Sequence, residues 1–349
     1  MNSFAPAKQS RAIAIVDPCC STGYTPQSLE VGGLGGTEAT VLRVSGALSG
    51  HTNIVHFQKG RHGPEITAAG TMLPLQAAFA LRRETTFVVI NSWKVAIKLR
   101  KTYPDAPILL WLHIHPGRHN RPMATELHGA DIGIICVSRS HSEQLRKFLG
   151  NAAPVRITYI YNPIADDLRP DDTQRNLDRL LFASSPHKGL AEVFARFRAA
   201  RAAIPTLTLE VADPGYLAWD TGPVPEGVRF LGTLPHAKLL VKMRKALCLF
   251  YPQTTFAETF GIVLAEAHAV GTPVLVDRAV GANAEVVGDP TQLVDGTDDA
   301  QIVARLREWR ARPPLVAARP EFRLDAVAQS WAQTLGVNAV QCPATAWGA

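Results

Sequence analysis

The feature that most constrains the fold is the alternation of short apolar runs with stretches of helical spacing along most of the chain. Runs of four to six apolar residues have the length of buried strands. Strands that alternate with helices form parallel, doubly wound sheets with helices on both faces. Ten strands are predicted in this way, at residues 11–16, 53–57, 87–90, 108–113, 132–137, 180–183, 207–211, 228–232, 247–251 and 273–276.

Length and composition indicate a soluble protein of two domains. The 349 residues are 46% hydrophobic and 19% charged, which suits two globular domains with sizeable cores. The N-terminus lacks an apolar signal core and no run reaches 18 apolar residues, so we expect a cytoplasmic chain. Five cysteines without CxxC spacing predict a reducing compartment and no zinc site: Cys19, Cys20, Cys136, Cys248 and Cys342.

The positive charge is concentrated in the first half of the chain. The net charge is +6, yet residues 1–165 hold 17 basic and 9 acidic residues. We therefore expect the first half to face an anionic surface or substrate. The basic residues lack interleaved aromatics, which argues against nucleic-acid binding. One group of basic residues has two interpretations, the solvated face of a helix or a patch that binds anionic lipid head groups. The group consists of Lys94, Lys98 and Lys101 with Arg82, Arg83, Arg118 and Arg121.

The stretch 256–276 carries the residues that best indicate a chemistry. Glu258 and Glu266 stand eight residues apart. On a continuous helix, side chains with this spacing point in directions about 80° apart around the axis. They converge on one ligand if Glu258 lies in a loop and Gly261 opens the helix. The N–H groups of residues 261 to 264 then point at an anion, while Glu266 accepts hydrogen bonds from hydroxyls. A phosphate site with two hydroxyl-binding carboxylates suits a nucleotide sugar.

The same stretch resembles the E-x7-E signature of the family-4, or group 1, retaining glycosyltransferases. It also matches this family in the Phe260-Gly261 pair after the first glutamate and in the GTPV run at 271–274, and the resemblance extends over residues 31–335. It implies the GT-B fold, in which two Rossmann-like domains face each other across a cleft. The implied parts are an acceptor-side domain at 1–165, a nucleotide-sugar domain at 166–320, a helix crossing back at 321–336 and a tail at 337–349.

A glycine-rich loop precedes the first long helical stretch. It lies some 15 residues past the first strand, too far for a dinucleotide-binding turn. It resembles instead the family's GGxG loop, which implies that Gly33, Gly35 and Gly36 reach the donor phosphates. A mobile surface loop is the alternative reading.

Two histidines follow the strand at 108–113, where ligands of open sheets bind. His113 resembles the family's active-site histidine, and His115 is the second choice. Structural histidines or a metal site remain alternatives at this position.

The second half contributes a lysine to the implied donor site. Lys188-Gly189 follows a strand and resembles the family's pyrophosphate clamp. The arginine that normally accompanies it is missing, since Ala183, Ser184 and Ser185 stand there. The resemblance implies that Glu266 and the helix start at Phe260, Gly261 and Ile262 bind the donor, with Ser184 and Ser185 in the place of the arginine. Glu285, after a glycine-containing loop, is expected to be a cleft-side or structural acid.

Together these features predict metal-independent, retaining transfer of a hexose from a UDP- or GDP-linked donor to an acceptor hydroxyl. Glu258, His113 and Lys188 are the predicted catalytic groups, and no cofactor is expected. The acceptor would be a glycan or a lipid-linked sugar of cell-envelope polysaccharide, lipopolysaccharide or glycolipid synthesis, reached at the inner face of the plasma membrane. A nucleotide-sugar epimerase and a non-catalytic binding subunit of the same fold are the alternatives.

Overall fold

The computed structural model describes residues 12–82, 84–150, 153–215 and 219–337, which form two α/β units built on separate sheets. The predicted fold class, two α/β units with separate sheets covered by helices, is confirmed, with one sheet mixed rather than purely parallel. The predictions for Arg11, Arg83, Cys342 and the tail from residue 338 lie outside the described residues.

The first sheet, as far as it is described, has eight strands in the order β3-β4-β2-β1-β5-β6-β7-β8. All neighbours run parallel except β3, which pairs antiparallel with β4. The sequence did not predict β3, β4 or β8, because these strands are short and only partly buried. The strands are β1 Ala12–Asp17, β2 Ile54–Gln58, β3 Glu65–Thr67, β4 Gly70–Pro74, β5 Thr85–Ile90, β6 Ile108–Leu112, β7 Gly133–Cys136 and β8 Ile157–Tyr159.

Helices connect these strands and cover both faces of the sheet. The longest of them, α2, begins at the glycine-rich loop and buries Val41, Leu42, Val44 and Leu48 against the core. Short 3₁₀ turns lie at Leu75–Phe79 and Arg118–Asn120. The helices are α1 Ser28–Val31, α2 Gly36–Ser49, α3 Trp93–Thr102, α4 Met123–Gly129 and α5 Arg139–Leu149.

The second sheet is parallel throughout its described strands, in the order β11-β10-β9-β12-β13-β14. Its strands are β9 Asn176–Ala183, β10 Thr208–Ala212, β11 Val228–Gly232, β12 Ala246–Tyr251, β13 Val274–Asp277 and β14 Leu293–Val294. The helices of this unit are α6 Leu190–Ala203, α7 His236–Lys245, α8 Ile262–Ala269, α9 Asn283–Val287 and α10 Asp299–Ala311, with 3₁₀ turns at Pro290–Gln292 and Pro320–Phe322.

The last helix, α11 Leu324–Leu335, packs on the first unit rather than on the second. Its Trp331 is fully buried with its ring centroid 4.4 Å from that of Trp111 on β6. The chain enters this helix beside the crossover, residues 160–175, which leads from β8 of the first unit to the first strand of the second. Here the Leu324 N–H donates to the Ile164 carbonyl at 3.0 Å. The end of the chain therefore ties the two units together. Within the described part of the chain, no helix is both long and apolar enough to cross a bilayer.

Burial of whole strands fixes where polar chemistry can occur. Every residue of β1, β5, β12 and β13 is buried, so both faces of each sheet are covered. Polar side chains that meet a ligand must then come from the loops at the carboxyl ends of the strands. These loops carry the glycine-rich segment, the histidine pair, Lys188 and the glutamate loop, residues 256–261.

We expect His56, on β2, to make the fold less stable in acid. Burial first, and Arg61 second, lower the pKa of His56 to about 4, against about 6.5 in an unfolded chain. Between these values only the unfolded state binds the proton, so the unfolding free energy falls as the pH falls, by about 1.4 kcal/mol per pH unit.

Urea unfolding at pH 7.5 and pH 5.0 measures this effect. The His56→Gln variant should lose about 2 kcal/mol less than wild type over that interval. An equal loss in both proteins would show that His56 does not contribute to the acid sensitivity.

Candidate functional site

A cavity of about 200 Å³ lies between the two units, where the carboxyl ends of their strands face each other. The first unit contributes the glycine-rich loop and one side of α2, and the second contributes loops after β9, β10 and β11 together with the start of α8. Most of the residues predicted from the sequence line it: Gly33, Gly35, Gly36, Ser184, Ser185, Lys188, Glu258, Gly261, Ile262 and Glu266. The structure therefore brings together residues as far apart as 33 and 266.

Two helix N-termini meet across this cavity. Gly261 caps α8 in the left-handed conformation, with φ +83°, which explains a glycine at this position. A Cβ atom on Gly36, the first residue of α2, would lie 3.4 Å from the Ile262 side chain. None of the described residues accepts a hydrogen bond from the N–H groups of Gly261, Ile262 and Val263. These groups give the cavity a positive wall.

The prediction of four anion-facing N–H groups, from 261 to 264, is corrected by the structure. The Leu264 N–H donates to the Gly261 carbonyl at 2.9 Å, which closes the first turn of α8 and leaves three groups. The N-terminus of α2, on the opposite side of the cavity, is partly covered. Glu38 folds back over the start of α2, so its carboxylate lies beside Gly35. Burial raises the pKa of Glu38. The N-terminus of α8 is therefore the more open of the two.

Glu258 and Lys188 form an ion pair that the sequence did not predict. The Lys188 Nζ lies 3.0 Å from Glu258 Oε1 and 3.2 Å from Oε2, and the Tyr251 hydroxyl donates to Oε1 at 3.2 Å. The side chains are 22% and 9% exposed, so the pair lines the cavity while mostly shielded from water. Lys188 also lies over the Phe256 ring, 4.8 Å from its centroid. Two of the three predicted catalytic groups thus balance each other's charge here.

Glu266 is held by two residues that sequence reasoning missed. Arg43 Nη2 donates to Glu266 Oε1 at 2.9 Å, and His236 Nε2 contacts the same oxygen at 3.0 Å. Burial alone would raise the pKa of Glu266, but His236 and Arg43 outweigh it and lower the pKa to about 2. Glu266 is therefore ionised at neutral pH. Arg43 lies in the middle of α2. A single basic residue on a helix does not indicate a functional role, so the sequence alone could not identify it.

His113 lies behind the cavity rather than in its wall. Its side chain is buried against Trp111, with 4.7 Å between ring centroids, and none of the described residues hydrogen-bonds its Nε2. Burial first, and His141 second, lower the pKa of His113 to about 3, so the imidazole is neutral. Its contact with the glutamate loop is through its backbone, since Thr259 Oγ1 donates to the His113 carbonyl at 2.8 Å.

His115, the second choice, is half-buried and closer to the acids. Burial lowers its pKa, while the negative charge of Glu258 acts in the opposite direction. Its ring centroid is 4.9 Å from that of His141, and its Nε2 has no hydrogen-bond partner among the described residues. Among all the residues that the structure describes, no group of three or more His, Cys, Asp or Glu side chains could hold a metal ion.

Phe260, Ser184 and Ser185, three of the predicted donor-binding residues, differ in their position relative to the cavity. Phe260 is buried among Tyr161 and Phe322, at ring centroid distances of 6.0 Å and 5.1 Å, and does not line the cavity. Ser185 Oγ is 2.9 Å from His187 Nδ1. Phe260 therefore anchors the start of α8 in the core, whereas Ser184 and Ser185 lie at the cavity wall.

Glu285 joins the two units next to the glutamate loop. Its carboxylate accepts hydrogen bonds from the Arg139 and Ser140 N–H groups at 3.0 Å and 2.7 Å, and from the Tyr161 hydroxyl at 2.8 Å. Burial would raise the pKa of Glu285, but these hydrogen bonds, Ser140 foremost, lower it. Of the two roles expected for Glu285, the structural one fits these contacts, since its carboxylate caps α5 of the opposite unit.

Close packing at Gly281 fixes the position of Glu258. Gly281 has φ +57°, and a Cβ there would overlap the Glu258 carbonyl oxygen and lie 2.6 Å from the Glu258 nitrogen. The Ala282 N–H also donates to this carbonyl, at 2.9 Å. Backbone cannot move aside like a flexible side chain, so any other residue at 281 displaces the loop.

We expect Gly281→Ala to destabilise the protein by about 2–5 kcal/mol, because left-handed strain adds to overpacking. Gly288→Ala is the matched control, since Gly288 has φ +71° but its nearest neighbour atom would be 3.7 Å away. The control should lose only about 1–2 kcal/mol in urea unfolding. Equal losses would mean that the loop is not tightly packed.

Comparison with known proteins identifies the second unit by sequence. Residues 185–320 match the family model described as glycosyl transferases group 1. This region includes Lys188, both glutamates of the cavity and Gly281. Among curated proteins, none has a matching sequence.

Solved structures resemble the chain over nearly its whole length. One is a glycosyltransferase involved in avilamycin A biosynthesis, with 18% identity, a TM-score of 0.61 and coverage of 93% of this chain and 97% of the other. A UDP-forming α,α-trehalose-phosphate synthase from Burkholderia vietnamiensis has 14% identity, a TM-score of 0.66 and coverage of 94% and 98%. The lipopolysaccharide outer core galactosyltransferase WaaB has 15% identity, a TM-score of 0.55 and coverage of 91% and 93%.

At these identities the structures establish the fold, and the family model establishes the sequence relationship of the second unit. The resemblance stated from the glutamate stretch is confirmed at this level: residues 185–320 match the group 1 glycosyltransferase family, and the chain as a whole has the GT-B fold.

Proposed function

We propose that this protein is a retaining, family-4 glycosyltransferase that moves a hexose from a nucleoside-diphosphate sugar to an acceptor hydroxyl. The observation that carries the proposal is the placement of Glu258 and Glu266 on either side of the open N-terminus of α8, within one interdomain cavity. Such a cavity offers an anion site between two hydroxyl-binding carboxylates. Nucleotide sugars have this order of groups, with ribose, diphosphate and hexose in sequence.

Each wall of the cavity suits one part of the donor. Glu266 would accept hydrogen bonds from the ribose hydroxyls, and Glu258 from hydroxyls of the hexose. The diphosphate would lie at the N–H groups of Gly261 to Val263, beside Lys188 and below the Gly33–Gly36 loop. The names of the similar proteins include a UDP-forming synthase and a galactosyltransferase, which supports a nucleotide-linked hexose as the donor.

The reaction would exchange one bond at the anomeric carbon. The acceptor oxygen forms a bond to this carbon as the bond to the phosphate oxygen breaks, and the bonding electrons leave with the diphosphate. The acceptor proton passes to the leaving phosphate on the same face of the sugar, so the configuration is retained. Lys188 and the α8 N-terminus would stabilise the charge that develops on the diphosphate. In this proposal no metal is needed for that purpose, and His113 supports the glutamate loop from behind.

The acceptor is proposed to be a glycan or lipid-linked sugar at an anionic membrane. Lys94, Lys98 and Lys101 are exposed along one side of α3, and Arg82, Arg118 and Arg121 are exposed on the same unit. Clustered cations attract anionic lipid head groups. One of the similar proteins is named for the lipopolysaccharide outer core, which supports an envelope acceptor at the inner face of the membrane.

A product assay tests the proposed reaction. Purified protein is incubated with UDP- and GDP-linked hexoses, with and without acceptor glycans, and the products are examined by mass spectrometry and NMR. Acceptor-dependent transfer with an unchanged anomeric configuration is expected. Rearranged sugar without an acceptor would indicate the epimerase, and saturable binding without any product would indicate the non-catalytic subunit. Inversion at the anomeric carbon would contradict the retaining mechanism.

We expect Lys188→Ala to lower the turnover number about 100-fold, because the loss of one electrostatic donor to the transition state costs about 3 kcal/mol. Lys242→Ala is the matched control: Lys242 pairs with both oxygens of Glu210 at 3.1 Å and has 28% exposure, yet it lies outside the cavity. The rate at which nucleoside diphosphate is released at saturating donor concentration gives the turnover number of each variant. If the two variants turn over alike, Lys188 has no special role.

A further inference from the structure

The ion pair of Arg43 with Glu266 joins the two units inside the cavity. Arg43 projects from α2 of the first unit, and Glu266 lies on α8 of the second, 223 residues later. The side chains are only 11% and 6% exposed, and both line the cavity. An ion pair this well shielded from water depends on accurate placement of both partners, since a buried charge without its partner is costly.

The hydrogen bonds divide the two oxygens of the Glu266 carboxylate. Arg43 and His236 both contact Oε1, whereas Oε2 accepts no hydrogen bond from any described residue. Because a carboxylate can only accept, His236 must carry a proton on Nε2 in this contact. One oxygen is thus fixed by the protein, and the other is available to a ligand in the cavity.

Arg43 is also held on its other side. Its Nη1 donates to the Pro163 carbonyl at 3.4 Å, at the crossover between the units. The guanidinium therefore spans from the crossover to the donor site, which limits the orientations that it can adopt. A planar, two-ended group of this kind orients a carboxylate better than a lysine would.

We propose that Arg43 is a positioning residue of the donor site, supplied by the acceptor-side unit, which fixes Glu266 so that Oε2 is presented to the ribose hydroxyls. The inference rests on the proposed function, because it requires that Glu266 bind the nucleoside. It follows that the ribose-binding carboxylate is complete only while the two units are in contact. Contact between the units then strengthens donor binding, and donor binding in turn favours that contact.

A calorimetric experiment tests the positioning role of Arg43. It measures the binding of UDP and GDP to wild type, Arg43→Gln, Glu266→Gln and the double variant. Arg43→Gln should raise the Kd of the better ligand about 30-fold, equivalent to ~2 kcal/mol. Glu266→Gln should weaken binding at least as much. Because Arg43 acts through Glu266, the second substitution should add little in the double variant. Fully additive losses would overturn the proposal.

The kinetic parameters separate positioning from a structural role. Loss of a group that binds the donor equally in the ground and transition states raises the donor KM and leaves kcat unchanged. Arg43→Lys should restore part of the affinity, since it keeps the charge but not the planar geometry. A lower kcat with an unchanged KM would contradict the positioning role.

Arg196→Gln is the matched control, because Arg196 pairs with Asp299 at 2.9 Å within the second unit and outside the cavity. It should bind nucleotide as wild type does. If wild type binds neither nucleotide, the proposed function fails and this inference fails with it. If wild type and Arg43→Gln bind equally well, only the role of Arg43 is wrong.

Discussion

The contact between the two units at Thr259 is the interaction on which the site depends. Thr259 lies between the glutamate Glu258 and the start of α8, and it bonds to the first unit in two directions. Its carbonyl accepts from Ser138 Oγ at 2.6 Å, and its hydroxyl donates to the His113 carbonyl at 2.8 Å. Glu285 adds a third connection at the start of α5. These hydrogen bonds give the cavity a fixed back wall.

Charge compensation is the second constraint on this cavity. Glu258 is paired with Lys188, and Glu266 with Arg43, so each acid already has a cation beside it. A diphosphate would bring further negative charge into a site that is largely shielded from water. The three N–H groups at the start of α8 supply positive potential that no carboxylate there has taken up. In the proposed reaction Lys188 would be shared between Glu258 and the phosphates, which would link the acid assigned to the hexose with the leaving group.

The sequence was informative about the features that local patterns encode. Strand and helix alternation predicted both sheets, and the spacing of Glu258, Gly261 and Glu266 predicted a loop followed by a helix start, as the structure has it. Short edge strands such as β3 and β14 were missed because two or three residues carry no periodicity. Side chains in a strand alternate every two residues, so a strand must be longer than this repeat before its alternation can be recognised in the sequence.

Partners from distant parts of the chain could not be predicted. Arg43, His236 and Tyr251 reach the glutamates only through the packing of one unit on the other, or of neighbouring strands. The burial of His113 was equally invisible, because it depends on Trp111 beside it and on the glutamate loop in front. Such contacts follow from tertiary geometry, and only the residue types are present in the sequence.

A crystal structure of the protein with a bound nucleoside diphosphate tests the proposed donor site most directly. We predict that phosphate oxygens lie about 3 Å from the N–H groups of Gly261, Ile262 and Val263, the hydrogen-bonding distance. We also predict that the ribose hydroxyls lie on Glu266 Oε2. A nucleotide bound outside this cavity, or one whose phosphates avoid the start of α8, would contradict the proposed donor site.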